Sequence, residues 1–147
     1  MALSPKETAN ALANQTFPVP NGIATISLSA GANEFFGPWF QITQSTTLWR
    51  PDRGSYNGLH GYWMFRPDAR MCWQAVNTNG PLRYWNADGQ ATGNPEDWEL
   101  FIVEVVNADL GQVRIRNIYG AYVNFVANVF QCTGTQAQAQ VFTIVNQ

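Results

Sequence analysis

Charge is scarce in this sequence. Only 12% of its 147 residues are Asp, Glu, Lys or Arg, and the formal net charge is −2. An ordinary soluble domain is about a quarter charged. The basic residues are seven Arg and one Lys, scattered rather than clustered. Nothing in that pattern would attract a phosphate backbone, so nucleic acid is not an expected partner. Long hydrophobic runs are also missing. No stretch approaches the ~20 apolar residues that span a bilayer, and membrane insertion is not expected. Histidine occurs once, at His60, and cysteine twice, at Cys72 and Cys132. Two thiols and one imidazole cannot close a zinc site without carboxylates. Neither a metal nor another cofactor is expected. Met1 to Gly22 lacks the apolar run with a basic lead that marks a secretory signal. The expected location is cytoplasmic, or outside the cell by a non-classical route. Cys72 and Cys132 then read as free core thiols, and the Asn14-Gln15-Thr16 sequon as a chance match.

Aromatic residues are abundant, at 14%, with six Trp. The length suits one domain whose core needs no disulfide staples. Residues 1–22 read as a short N-terminal arm, in which Ser4 caps a brief helix with Pro5 and Glu7 in its first turn. A single domain over residues 23–147 follows. There, runs of Val, Ile, Thr, Phe and Trp alternate with Gly, Asn, Pro and Asp, the pattern of short strands. In Gln112–Asn117, Val113 and Ile115 share one face while Gln112, Arg114 and Arg116 share the other. That is a half-buried strand.

The chain also echoes itself. Asn77-x-x-Gly80, Gln90-x-Thr92-Gly93 and Phe101 recur as Asn117-x-x-Gly120, Gln131-x-Thr133-Gly134 and Phe142, offset by 40 residues at first and 41 later. A period near 40 marks copies of one small β unit. Three copies are expected, over about 23–66, 71–105 and 112–146. The first would hold strands at Thr25–Ala30, Trp39–Thr43, Thr47–Arg50 and Tyr62–Arg66. The second would hold Cys72–Val76, Leu82–Trp85, Gln90–Thr92 and Trp98–Val105. The third would hold Gln112–Asn117, Tyr122–Ala127, Val129–Cys132 and Gln140–Val145. About twelve strands in so short a chain must close a barrel or sandwich to remove sheet edges.

This all-β plan of three four-stranded copies resembles the β-trefoil. The copies end in Trp63-Met64-Phe65, Glu99-Leu100-Phe101 and Gln140-Val141-Phe142. Ricin-B-like trefoil lectins carry Gln-x-Trp at the matching place, and fascin-like trefoils carry a Phe after a polar residue. The third copy, with Asn117-x-x-Gly120-x-Tyr122-Val123, is the more fascin-like. The resemblance implies a carbohydrate-binding lectin without catalytic activity, of the small cytosolic kind found in fungi. None of the copies has the full Asp, aromatic and Asn-Gln set of galactose-binding repeats, so galactose specificity is not implied.

For a site, the stretch Arg50–Tyr62 reads as the longest loop. A sugar needs hydroxyl acceptors and donors beside a flat ring. Asp52, Arg53, Tyr56, Asn57 and His60 supply the former, with Trp49 or Trp63 at the base as the ring. The plain alternative is a surface loop whose Asp and Asn satisfy turn backbone. Trp85, Asn86 and Asp88 form a second candidate beside a tight turn, against the alternative of a core Trp85. Asn124, Asn128 and Gln131 of the third copy lack a nearby Trp. Asn57→Ala and His60→Ala are expected to weaken glycan binding at an unchanged melting temperature. Glu96, Asp97 and Glu99 lie close enough for a glycosidase pair, yet a solvated turn explains them better. No nucleophile elbow, P-loop or dinucleotide fingerprint occurs. The expected partners are glycans or glycoproteins, with self-association possible. Two rivals remain. One is a trefoil protease inhibitor acting through Arg50-Pro51-Asp52-Arg53. The other is a lectin-like partner subunit docking through Phe35-Phe36 or the arm.

Overall fold

The computed structural model describes residues 22–30, 33–76 and 80–147. The expected helix at Ser4, the sequon at Asn14 and the Asn77 of the repeat lie outside the described residues. The chain is all-β. Its twelve strands are β1 (Ala24–Leu28), β2 (Phe35–Phe36), β3 (Ile42–Thr43), β4 (Leu48–Tyr56), β5 (Leu59–Phe65), β6 (Cys72–Ala75), β7 (Gly80–Trp85), β8 (Phe101–Asn107), β9 (Gln112–Asn117), β10 (Tyr122–Val126), β11 (Val129–Gly134) and β12 (Phe142–Asn146). Single 3-10 turns at Asp97–Glu99 and Gln136–Gln138 are the helical segments among the described residues. None is long and apolar enough to cross a membrane.

Antiparallel pairing runs from β1 to β4, β5, β8, β9 and β12, and back to β1. The sheet thus closes on itself as a barrel, which removes the exposed edges of those strands. The remaining strands form three hairpins, β2–β3, β6–β7 and β10–β11. They join the barrel through single pairings of β1 with β2, β5 with β6 and β9 with β10.

Aromatic side chains fill the middle. Phe36 stacks between Trp73, at 4.3 Å, and Phe130, at 4.2 Å between centroids. Three edge-on or tilted pairs surround that stack: Phe36 with Trp49, Trp73 with Phe101, and Phe130 with Phe142, all near 5.7 Å. The six rings are fully buried. Each contributes roughly 1.5–3 kcal/mol by leaving water. A smaller cluster of Leu59, Leu100 and Ile102 lies apart, with Tyr56, Trp63 and Ile118 packed against it. It supports the outer face of the β4–β5 hairpin.

Several sequence expectations are corrected. Arg50–Tyr62 is not a loop. Its residues belong to β4 and β5, which pair without interruption from Arg50↔Phe65 to Tyr56↔Leu59. The turn is Asn57-Gly58 alone, both with positive φ (49° and 79°), as a tight two-residue hairpin requires. Of Trp39–Thr43 only Ile42–Thr43 is strand, as β3; Trp39–Gln41 lie in the turn that joins it to β2, where Phe40 has a φ of 60°. Gln90–Thr92 is not a strand, because side chains take its backbone. Asp88 accepts from Gln90 N and Asn86 Oδ1 accepts from Ala91 N. The start of Trp98–Val105 is the 3-10 turn rather than strand. The echo is half structural. Phe101 and Phe142 both open strands and both are fully buried. Gly120, however, lies in the β9–β10 turn, whereas Gly80 opens β7.

Candidate binding site

Two open clefts adjoin on one side of the barrel. The first, of about 520 Å³, lies along the β4–β5 hairpin. Strand alternation and register build it. Arg50 lies opposite Phe65 and Asp52 opposite Trp63, which puts these four residues on one face. Arg50 holds its guanidinium 4.9 Å above the Phe65 ring, and its Nε stands 3.4 Å from Asp52. Arg53 lies 5.9 Å from the Tyr62 ring. Arg70, from the β5–β6 connection, completes the wall and lies 5.1 Å from the Trp85 ring. The backbone is shaped for the indole here. A Cβ at Gly54 would stand 2.8 Å from the Trp63 ring, so only glycine lets Trp63 lie across β4.

The second cleft, of about 350 Å³, is lined by Trp85, Trp98, Gln74, Asn94 and the acidic run Glu96, Asp97 and Glu99. The 3-10 turn sets it. Glu99 is buried at 3% exposure. Its Oε1 accepts from Glu96 N at 2.8 Å, and its Oε2 accepts from Gln74 Nε2 at 3.1 Å. Gln74 Oε1 in turn accepts from Arg83 Nε at 2.6 Å. Asp97 accepts from the Tyr119 hydroxyl, which pushes that phenol up to about 12. Tyr56 is also shifted upward, chiefly by the negative charge of Glu96 beside it. Asn94 lines both clefts. Arg70 fixes the wall between them by donating to the carbonyls of Ala91 and Gly93 and, at 3.4 Å, to Asn94 Oδ1.

The residues expected from sequence are dispersed by this geometry. Asp52, Arg53 and Trp63 line the first cleft and Trp85 the second. Tyr56 stands beside the second through its contact with Glu96. Trp49 is not a platform. It is fully buried and donates its indole N–H to Phe36 O at 3.0 Å, because the inward face of β4 carries it into the core. Asn57 forms the hairpin turn, and His60 is exposed opposite Ser55 near that tip. Neither lines a described cleft. Asn86, with φ of 63°, donates to Arg70 O at 2.6 Å and accepts from Ala91 N. It and Asp88 hold a loop closed rather than facing a ligand.

Asn94, Gln74, Trp98 and Arg70 were not anticipated. The nearby Glu96–Asp97–Glu99 run was the one local signal for the second cleft. Nothing near Arg70 in sequence points to the hairpin it meets. Two of the three rival surfaces lose their expected geometry; the third, the N-terminal arm, lies outside the described residues up to residue 21. Arg50-Pro51-Asp52-Arg53 lies inside a paired strand, so it does not protrude as an inhibitory loop. Phe36 is in the core and Phe35 is half-buried, so they offer no exposed apolar patch. No protein-family model and no curated protein matches the chain.

Proposed function

We propose that the chain is a non-catalytic carbohydrate-binding protein of β-trefoil plan, with the tryptophan-lined cleft as its principal site. The observation that carries this reading is the lining itself. Two indoles, Trp85 and Trp98, meet the amides of Gln74 and Asn94 and the carboxylates of Glu96 and Asp97 around one open cleft. A pyranose offers an apolar C–H face to a ring and hydroxyls to amides and carboxylates. Trp98 is 37% exposed and is the stacking platform. Asn94 and Glu96 are exposed and serve the hydroxyls. Glu99, spent on Glu96 N and Gln74, sets the geometry instead of binding.

For the fold, strand pairing supports a partition that differs from the one read in sequence. The units are β1–β4, β5–β8 and β9–β12. Each gives its first and last strand to the closed barrel and its middle two to a hairpin. The three aromatic pairs around the Phe36 stack accord with it. Experimental coordinates in which these units fail to superpose under a three-fold rotation would remove the trefoil assignment.

Function is tested with a glycan array and calorimetry on the wild type, Trp98→Ala and Asn94→Ala. A sugar bound by the wild type should bind about tenfold more weakly to either variant, in line with the loss of one stacking or polar anchor. Binding undiminished in both variants, or an array without a single ligand, would remove the assignment.

A further inference from the structure

Three of the chain's seven arginines line the first cleft. Each lies on an aromatic ring: Arg50 on Phe65, Arg53 on Tyr62 and Arg70 on Trp85. In a chain of net charge −2 with one lysine, that is a local excess of positive charge. Asp52 is the carboxylate among the lining residues and offsets one of the three.

We propose that this cleft is an anion subsite, and that the ligand of the two joined clefts is an acidic saccharide whose sulfate or carboxylate is held by Arg50, Arg53 and Arg70. This rests on the carbohydrate reading of the neighbouring cleft. A guanidinium resting on a ring keeps its N–H donors in its own plane and loses less freedom on meeting an oxyanion. Donors remain to be used. Arg53 makes no hydrogen bond or ion pair with any described residue, and Arg50 meets Asp52 only through Nε, at 3.4 Å. The indole N–H of Trp63, a lining residue, is buried without a partner among the described residues. Arg70 is committed to Ala91, Gly93 and Asn94, so it contributes charge and a fixed wall. Polarity sets the direction. Glu96 and Asp97 repel an anion from the second cleft, leaving the acidic group to the arginines and the sugar ring to Trp98 and Asn94.

The test is an array bearing neutral, sulfated and uronate-containing versions of the same glycans, probed with the full chain. Wild type should bind an acidic version at least about tenfold more tightly than its neutral counterpart. The preference should shrink between roughly 50 and 200 mM salt. Arg53→Ala and the pair Arg50→Gln with Arg53→Ala should abolish it, and Arg53→Lys should keep most of it. Sulfated and uronate spots distinguish the two sources of charge. Equal binding of neutral and acidic versions, or arginine variants that match the wild type, would overturn the proposal while leaving the lectin reading intact. Acidic binding that Trp98→Ala and Asn94→Ala do not weaken, and that inorganic tripolyphosphate displaces, would mean a bare anion is the ligand. That outcome also overturns the acidic saccharide. Melting temperatures near that of the wild type confirm that each variant is folded.

Discussion

Glu104 is the most consequential polar residue in the barrel. It is 7% exposed, and its Oε2 accepts from Arg116 Nε at 2.8 Å and from the Tyr122 hydroxyl at 2.6 Å. A buried ion pair adds little net stability, but removing one partner strands the other charge. Glu104→Ala should therefore lower unfolding free energy by about 3–5 kcal/mol in urea titrations. A loss under about 1 kcal/mol would mean Arg116 finds water. The thiols give a second expectation. Burial pushes both upward, Cys132 to about 12, and the Cys132 thiol donates to Ala121 O at 3.0 Å. Native protein at pH 8 should not react with a disulfide reagent, and both thiols should react once it is unfolded. The phenols behave alike. Tyr119 and Tyr122 lie above their ordinary value of 10.0, Tyr119 through its bond to Asp97 and Tyr122 through burial and then its bond to Glu104. Their folded state holds the proton longer than the unfolded state does. The stability they lend is complete below pH 10 and drains away as pH rises toward 12. Absorbance titration should show their ionisation delayed, with melting temperature falling over the same range.

The β4–β5 hairpin is the element on which the first cleft depends. At Gly54 the fit is close, since a Cβ there would press 2.8 Å from the Trp63 ring. Gly54→Ala should displace Trp63, cost about 1–3 kcal/mol and change the tryptophan emission spectrum. An unaltered spectrum with unaltered stability would show that the indole has room to move. The Asn57 substitution needs revision at this scale. With φ at 49°, Asn57→Ala strains the turn by about 1 kcal/mol and should lower melting by roughly 3–5 °C. It is therefore a stability variant, and its effect on binding cannot be read without that correction. The hairpin was legible in Asn57-Gly58 flanked by alternating residues. The glycines and polar groups on either side masked it, because Arg50, Asp52, Arg53 and His60 look like loop composition when a strand's outer face is polar.

Across the whole molecule, Phe36 is the centre of the aromatic core, touching Trp49, Trp73, Phe130, Phe142 and Phe40. Phe36→Ala should remove about 3–5 kcal/mol, a large part of the ~5–15 kcal/mol that holds a domain folded. Its urea midpoint should fall accordingly, and an unchanged midpoint would place the core elsewhere. Sequence by itself determined the all-β class, most strands of β6 to β12 and the buried thiols. These depend on local alternation, turn residues and composition, which neighbours in the chain fix among themselves. It could not say which tryptophan faces inward. Trp49 and Trp63 both sit on strands, and only the closed barrel defines an inside for Trp49. Nor could it bring Arg70 and Asn94 to the hairpin of Arg50 and Arg53. Arg70 sits on the short β5–β6 connection, but Asn94 reaches it because β8 pairs with β5 across a long stretch of chain, and such a contact follows from sheet closure rather than from any local pattern.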